Sequence, residues 1–410
     1  MAPILESTSL DDDGRVLSMR WSNQQVSRFH SVWLRDNAPD NETRSPENGQ
    51  RLITLQDIPC ATHISSVEQK QHCLSLVFKP ENKCVEFPVD WLYANRYDRK
   101  KETGENSNWL PKGLRTFDAS LCLQEVTFQH TDVINDPDYC KQWLESIACY
   151  GFARLRSGPV ESGALFDLVD LFGFVRETNY GRHFDVRSEA NPSNLAYTSL
   201  GLQAHTDNPY RDPVPGLQLL YCLDNSADGG ESQVIDGFQA ALLLQHSDSE
   251  AFRLLSENSA RFEYRDKSGT CLTASAPMIE LTNSGELRSI RFNNRSAAAF
   301  TDIAFDDMEN YYAAYRLFGE IINDTKNHVE FALQPGESFI VDNTRVLHAR
   351  SAFSMQQGRG SRWLQGCYAD RDSLLSKLAE LSQKNQSAVG GAVGGAVGGA
   401  VGGAVGGKTR

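Results

Sequence analysis

The stretch Gly216-Leu-Gln-Leu-Leu-Tyr-Cys-Leu223 is one of several short strand-like segments that together decide the fold class. The others are Glu231–Asp236, Arg288–Phe292, Ser338–Val341 and Arg362–Tyr368. Many short strands with few crossover helices predict a double-sheet jelly roll. One amphipathic helix, at about 306–323, interrupts the strands. It carries aromatic residues at a spacing typical of core packing: Tyr311, Tyr312, Tyr315 and Phe318.

Segments on either side extend this prediction to the whole chain. We expect a mainly β protein with flanking helices. Its catalytic domain is predicted to be a double-stranded β-helix (jelly roll) that spans residues 118–383. This domain opens with helices at 137–150 and 161–171, which flank a strand at 151–155. Residues 1–97 are expected to form a small N-terminal β-rich domain, with strands at Val16–Trp21, Arg51–Leu55, Cys73–Phe78 and Cys84–Val89.

Two further segments are expected to lie outside both domains. Residues 98–117 begin with a polar, charged stretch and are predicted to be a linker. Residues 384–410 contain Ala-Val-Gly-Gly five times over. Because glycine at half of the repeat positions loses much chain entropy on folding and packs little, we predict a flexible tail there.

Composition disfavours several classes of protein. The chain has 410 residues, 40% of them hydrophobic, and its net charge of −13 disfavours binding to nucleic acid, which is itself a polyanion. It has neither an N-terminal signal pattern nor an apolar run of membrane-spanning length, so we expect a soluble, cytoplasmic protein that binds no membrane. The nine cysteines are scattered, odd in number and free of any C-x-x-C pair, as expected for reduced thiols.

Three residues, His205, Asp207 and His348, have the makeup of a metal site. His205 and Asp207 are two residues apart, so their side chains point the same way on an extended segment. His348 lies far along the chain, so a distant strand must bring it to the same site. We predict this strand at Glu337–Asn343, with residues 343–348 continuing it toward the metal. An H-x-D pair alone is weak evidence, because a lone histidine is more often structural. The ordered set predicts Fe(II), with positions left open for a chelating cosubstrate and dioxygen.

Arg362 lies at the start of the last strand-like segment and is a candidate anion-binding residue. A guanidinium can bind a carboxylate bidentately, so we expect Arg362 to hold the far carboxylate of 2-oxoglutarate. Arg350 and Arg359 are the alternatives. The predicted set of cofactors and cosubstrates is therefore Fe(II), 2-oxoglutarate and O2, with ascorbate expected to stimulate turnover.

Six segments carry a resemblance to a known family: His30–Asn37, Phe184–Ser188, Ala196–Thr198, His205–Asp207, Gly229–Gly237 and Gly366–Asp370. Together they resemble the γ-butyrobetaine hydroxylase family of the taurine-dioxygenase-like superfamily, over about residues 14–383. The resemblance implies a jelly-roll catalytic domain and hydroxylation of a substrate that bears a trimethylammonium group. It places the family's iron ligands on His205, Asp207 and His348, and its 2-oxoglutarate arginine on Arg362.

The resemblance also implies an aromatic cage for the quaternary ammonium, at Tyr180, Phe184, Tyr197 and Tyr368. A trimethylammonium cannot donate hydrogen bonds and is best held by ring faces through cation–π attraction. The alternative is that these four aromatics only pack the core. Three of the four are tyrosines, whose hydroxyls need polar or wet surroundings, and this favours the cage.

The chain departs from the family pattern in its N-terminal domain. Relatives commonly have a zinc site built from cysteines that follow the Trp-Leu-Arg-Asp-Asn stretch. The matching positions here are Ala38, Asp40 and Thr43. These residues cannot form a thiolate-rich zinc site, so we predict no structural zinc.

A second departure concerns the anionic end of the substrate. Asn194 and Asn294 match two asparagines that bind the substrate anion in the family, but here Arg295 follows Asn294. A phosphonate offers three oxygens and up to two charges and therefore favours a guanidinium. The run Phe292-Asn-Asn-Arg295 resembles the branch that hydroxylates 2-(trimethylamino)ethylphosphonate next to the C–P bond. The alternative is that Arg295 faces solvent.

Three functions stay open at this point. The first is hydroxylation of 2-(trimethylamino)ethylphosphonate in phosphonate catabolism. The second is hydroxylation of γ-butyrobetaine to L-carnitine, and the third is a non-catalytic relative that binds a betaine. We also expect a homodimer, on the resemblance alone.

Overall fold

The computed structural model describes residues 3–98, 109–187, 201–354 and 362–394. The chain divides into two compact units, Met1–Asn106 and Ser107–Arg410. The helices and strands of the first unit are β1 (Leu5–Leu10), β2 (Val16–Trp21), β3 (Val26–His30), α1 (Ser31–Asp36), β4 (His63–Gln69), β5 (Cys73–Lys79), β6 (Lys83–Pro88) and α2 (Val89–Ala94).

The first unit is built from two three-stranded antiparallel sheets, β1-β2-β3 and β4-β5-β6. Buried residues alternate along β2 and β3, so that each strand places one face in the core. The strand predicted at Arg51–Leu55 is wrong. Arg51 forms only an isolated bridge, and Thr54 and Asp57 form a capping box that starts a 3-10 turn instead.

The second unit contains the remaining elements, which are β7 (Thr127–Gln129), α3 (His130–Asn135), α4 (Pro137–Tyr150), β8 (Phe152–Arg156), α5 (Ala164–Asp170), β9 (Phe184–Arg187), β10 (Leu202–His205), β11 (Leu217–Asn225), β12 (Asp228–Gly229), β13 (Ser232–Asp236), α6 (Gly237–Ser247), α7 (Ser249–Glu257), β14 (Ser259–Arg265), β15 (Cys271–Pro277), β16 (Ile279–Leu281), β17 (Leu287–Ile290), α8 (Met308–Asn323), β18 (His328–Phe331), β19 (Ser338–Asp342), β20 (Val346–Arg350), β21 (Phe353–Ser354), β22 (Arg362–Ala369) and α9 (Arg371–Gly394).

Two facing sheets form the centre of this unit, as the jelly-roll prediction requires. One has the strand order β7-β8-β19-β11-β22-β9 and the other β10-β20-β13-β18, and all pairs except β7–β8 are antiparallel. Their inner faces share one apolar cluster, to which Phe152, Leu220 and Phe339 contribute from the first sheet and Val234 and Val346 from the second. The fold class predicted from the sequence is confirmed.

Helices cover the outer faces of both sheets. One cluster packs α4, α5 and α9 against the six-stranded sheet, and another packs α6, α7 and α8 against the four-stranded sheet. Seven consecutive residues of β11, Leu217 to Leu223, are therefore buried, because the strand is covered on both sides.

The chain passes from one sheet to the other between β19 and β20, where we had predicted a single continuing strand. That prediction is wrong because residues 343–345 form a turn. The side chain of Asp342 accepts hydrogen bonds from the backbone N–H and the hydroxyl of Thr344, and the N–H of Arg345 donates to the carbonyl of Asp342. The turn brings His348 back along the opposite sheet.

Several other boundaries differ from the predictions. The helices that were not predicted include α6 and α7, although the carboxylates of Asp236 and Asp248 cap their N-termini. Tyr312 on α8 is exposed rather than packed. Residues 109–117, predicted as linker, belong to the second unit: Trp109 packs against Phe252, and Phe117 is buried.

The last helix, α9, was not predicted from the sequence. α9 continues to Gly394, into the repeats that were predicted to be a flexible tail. The rest of the tail, 395–410, and most of the polar linker, 99–108, lie outside the described residues. Among the helices that the structure describes, none combines the length and apolar character needed to cross a membrane.

Candidate active site

The two sheets bring the predicted metal ligands together at one end of the jelly roll. His205 is the last residue of β10 and lies directly opposite His348 on the antiparallel strand β20. Asp207 follows two residues after His205. The Nε2 atom of His205 lies 3.3 Å from Oδ1 of Asp207, and Nε2 of His348 lies 3.9 Å from the same oxygen. Ligand atoms at neighbouring positions of an octahedral ion lie about 3 Å apart, so the three residues fit one ion.

The electrostatics of the three residues also suit a metal. Burial lowers the pKa of His348 to about 3, and burial together with the charge of Arg295 lowers the pKa of His205. Burial alone would raise the pKa of Asp207, but His348 and His205 hold it well below its ordinary value. Near neutral pH the site therefore presents two neutral imidazoles and one carboxylate. Nδ1 of His205 lies 2.8 Å from the carbonyl oxygen of Gln203, which leaves Nε2 for the metal.

The loop that carries Asp207 is fixed by two neighbours that the sequence analysis missed. The side chain of Asn343 accepts from the N–H of Asp207 (2.7 Å) and donates to its carbonyl (3.0 Å). The N–H of Thr206 donates to the carbonyl of Phe292, and the N–H of Phe292 donates to the Thr206 hydroxyl. The Asn343 side chain thus fixes the metal loop to the β19–β20 turn, and the backbone at Phe292 places the Arg295 segment beside it.

A cavity of about 410 Å³ opens in front of the metal ligands, and Arg362 and Arg350 both line it. Arg362 is buried, and its Nε has no hydrogen-bond partner among the described residues. Burial, and then the charge of Arg350, lower the pKa of Arg362 to about 10. Such a guanidinium favours an anionic ligand. A Cβ at Gly230 would lie 3.2 Å from Nε of Arg362, so glycine there makes room for the guanidinium.

Three of the four predicted cage residues line the same cavity: Tyr180, Phe184 and Tyr368. The ring centroid of Phe184 lies 6.2 Å from that of Tyr180 and 5.3 Å from that of Tyr368. Two tyrosines that the sequence analysis missed extend this group. Tyr264 stacks on Tyr210 at 4.9 Å and meets Tyr180 edge-on at 6.0 Å. The fourth predicted residue, Tyr197, lies outside the described residues.

Of the residues predicted to bind the substrate anion, Arg295 lines the cavity and Asn294 does not. Arg295 is among the residues that line the cavity, and it is exposed. Partial burial lowers the pKa of Arg295, and the nearby carboxylate of Asp207 opposes this shift.

Of the two predicted asparagines, Asn294 lies among the described residues and does not line the cavity. Its side-chain oxygen accepts a hydrogen bond from Tyr315. The neighbouring Asn293 lines the cavity instead and donates to the carbonyl of Thr206. Asn194 lies outside the described residues.

Comparison with known proteins agrees with this geometry. Residues 112–368 match the family model described as taurine catabolism dioxygenase TauD, TfdA family. A gamma-butyrobetaine dioxygenase of Pseudomonas sp. (strain AK-1) is 35% identical over 90% of this chain and 94% of its own length. The chain belongs to the TauD, TfdA dioxygenase family.

Further relatives of this dioxygenase are less similar but match over most of their length. The human gamma-butyrobetaine dioxygenase is 26% identical, over 94% of this chain and 99% of its own. A trimethyllysine dioxygenase of Meyerozyma guilliermondii is 28% identical, over 89% and 93%. Residues 8–93 match the model described as gamma-butyrobetaine hydroxylase-like, N-terminal. The family predicted from the sequence is confirmed.

The chain is an Fe(II)/2-oxoglutarate-dependent dioxygenase. His205, Asp207 and His348 can hold the metal, because their ligand atoms all lie within 4.8 Å of one another and the donor set is that of ferrous oxygenases. The earlier alternative of a non-catalytic betaine-binding protein is therefore set aside.

Proposed function

We propose that this dioxygenase hydroxylates a small zwitterion that carries a trimethylammonium group, and that its preferred substrate is 2-(trimethylamino)ethylphosphonate, hydroxylated next to the C–P bond. The observation that carries the proposal is the position of Arg295. Arg295 lines the same cavity as Asp207 and as Tyr180 and Tyr368, two of the rings assigned to the cation.

The proximity of these groups supports a short substrate. If Tyr180 and Tyr368 hold the trimethylammonium and Arg295 holds the acid group, the two charges of the ligand must be close together. The phosphonate has two carbons between nitrogen and phosphorus, whereas γ-butyrobetaine has three between nitrogen and the carboxyl carbon. The shorter molecule also places the carbon to be oxidised next to the acid group.

The residues of the chain then have distinct tasks. His205, Asp207 and His348 would hold the ferrous ion, and Arg362 would bind the C5 carboxylate of 2-oxoglutarate. Iron held there together with this cosubstrate would supply the activation of dioxygen, with succinate and CO2 as the products of 2-oxoglutarate. The aromatic side chains orient the substrate and exclude water from the reacting carbon.

Hydroxylation of γ-butyrobetaine to L-carnitine is the second candidate. Its support is the identity of 35% with the Pseudomonas gamma-butyrobetaine dioxygenase over nearly the whole chain. The aromatic cage would accept either cation, so selection between the two acids must come from the anion site.

The test is a side-by-side assay of succinate formation with 2-(trimethylamino)ethylphosphonate, γ-butyrobetaine and trimethyllysine. We expect the phosphonate to be preferred and Arg295→Ala to lower its kcat/KM by about 10- to 100-fold, because a charge-assisted hydrogen bond contributes about 1.5–3 kcal/mol. Arg265→Ala is the matched control. Arg265 also lines the cavity, but its guanidinium pairs with Glu263. A preference for γ-butyrobetaine that Arg295→Ala leaves unaltered would make this a carnitine-forming enzyme.

We also propose a homodimer, which rests on the family resemblance. Light scattering of the purified protein tests it. A monomeric mass would remove this proposal without affecting the chemistry.

A further inference from the structure

The carboxylate of Asp207 has two oxygens with different surroundings. Oδ1 faces Nε2 of His205 and of His348. Oδ2 accepts two hydrogen bonds, one from the side-chain amide of Gln218 at 2.5 Å and one from the hydroxyl of Tyr368 at 2.8 Å. The oxygen that faces the two histidines is therefore not the oxygen that accepts hydrogen bonds from Gln218 and Tyr368.

The sheet explains how both donors reach the same atom. Gln218 on β11 and Tyr368 on β22 are direct cross-strand partners, and both side chains are buried and line the cavity. Cross-strand partners project to the same face of a sheet, so this pair approaches Asp207 from one side. Because an ionised carboxylate only accepts hydrogen bonds, the amide of Gln218 must present its NH2 group to it.

We propose that Gln218 and Tyr368 are positioning residues that occupy Oδ2 of Asp207 and so leave Oδ1 as its single metal-ligating oxygen. An octahedral ferrous ion has six positions. Three protein ligands, a two-point chelate by 2-oxoglutarate and one dioxygen fill them all. A carboxylate that bound through both oxygens would take the position that dioxygen needs. The proposal rests on the assigned iron site and does not depend on which substrate is oxidised.

The ring and the hydroxyl of Tyr368 make different contacts, so their roles can be tested separately. Its ring centroid lies 5.3 Å from that of Phe184, within the aromatic group, whereas its hydroxyl donates to Asp207. Tyr368→Phe keeps the ring and removes the donor. Gln218→Met keeps the length of the side chain and also removes the donor.

The same two strands supply a matched control pair. Tyr221 and Gln365 are also direct cross-strand partners on β11 and β22, and both are buried. The Tyr221 hydroxyl donates to the carbonyl of Pro159, and the Gln365 amide donates to Ser162. Neither contacts Asp207. Tyr221→Phe and Gln365→Met therefore repeat the chemical changes without touching the metal ligand.

The experiment is anaerobic titration of the full chain with Fe(II), without organic substrate, combined with visible absorption spectra of the Co(II)-substituted protein. We expect Gln218→Met and Tyr368→Phe each to weaken Fe(II) binding by about 10- to 100-fold, as outer-shell partners of metal ligands typically do. The Co(II) spectrum should also change with the coordination of Asp207. Both control variants should keep the wild-type affinity and spectrum.

Wild-type affinity and an unchanged Co(II) spectrum in folded Tyr368→Phe would overturn the proposal, even if Gln218→Met failed to fold. Asp207→Ala separates the possible causes of failure. If it too binds Fe(II) normally, the metal site itself is misplaced. If it loses Fe(II) while Tyr368→Phe does not, only the positioning role is wrong. A failure of the substrate assignment would leave all of these measurements unaffected.

Discussion

The Arg362 guanidinium lies near Arg350, and both residues line the cavity. Lysine at position 362 would keep the charge but lose the planar two-pronged geometry. We expect Arg362→Lys to raise the KM for 2-oxoglutarate by about tenfold or more, which corresponds to one charge-assisted hydrogen bond. The KM for the substrate should change much less.

Steady-state kinetics with each reactant varied in turn provide the measurement. Arg350→Lys is the informative comparison, because Arg350 lines the same cavity. If Arg350→Lys raises the KM for 2-oxoglutarate and Arg362→Lys does not, the anchor is Arg350.

Part of this site could be predicted from the sequence, because the residue types themselves indicate their chemistry. His205, Asp207, His348 and Arg362 have side chains whose chemistry suggests a role before any fold is known. Gln218 was missed, although a polar residue inside the apolar run 216–223 was a visible signal. A buried amide needs a partner, and sequence alone does not say which one.

The strand β22 leaves room for an aromatic ring of the cavity, because its residue 366 is a glycine and has no side chain. Gly366 lies opposite Phe184 on β9, and a Cβ at Gly366 would come within 2.4 Å of the Phe184 ring. We expect Gly366→Ala to displace that ring, to raise the KM for the trimethylammonium substrate and to leave the KM for 2-oxoglutarate unchanged. Overpacking of this kind costs about 1–3 kcal/mol of stability.

Kinetics and urea denaturation of the same variant check both parts of this prediction. Gly319→Ala on α8 is the control, since its new Cβ would make only an ordinary contact with Phe292 at 3.6 Å. An unchanged KM for the substrate in Gly366→Ala would show that Phe184 does not contact the cation.

The connection between β19 and β20 depends on a buried ion pair. Arg345 donates to both oxygens of Asp236 and to the backbone carbonyls of Cys149 and Arg115, and both charged side chains are almost fully buried. Arg345→Met would leave the Asp236 carboxylate buried without its cation. We expect a loss of about 3–5 kcal/mol in the free energy of unfolding.

Equilibrium urea denaturation measures this loss. Arg288→Met is the matched control, because the pair of Arg288 with Glu280 is solvent-exposed and contributes little. Equal stabilities of the two variants would argue against a structural role for the buried pair.

Across the whole molecule, the N-terminal unit has a polar network where relatives are expected to have zinc. Arg35 forms two hydrogen bonds to Glu81 and a third to Thr43, whose hydroxyl donates to Asp40. Asp40 in turn pairs with Lys83 at 2.9 Å. These contacts link the loop after α1 to the β5–β6 hairpin.

We therefore expect metal analysis of the purified protein to find iron without stoichiometric zinc. A zinc chelator should leave the thermal unfolding of the metal-free protein unchanged. Stoichiometric zinc would mean that other residues of this unit, such as His30, Cys60 or His63, build a site.

The sequence by itself determined the jelly-roll class, the family and the chemical types of the metal and cosubstrate ligands. These properties are local, because they depend on strand-length apolar segments and on residue types at fixed spacing. Only the tertiary structure placed Arg295 among the residues that line the cavity and showed that Gln218 and Tyr368 share one oxygen of Asp207. It also placed Asn294 against Tyr315 and brought Tyr210 and Tyr264 into the aromatic group. The physical reason is that such neighbours meet through strand register and loop contacts between segments far apart in the chain, which are fixed only when both sheets and their helices pack.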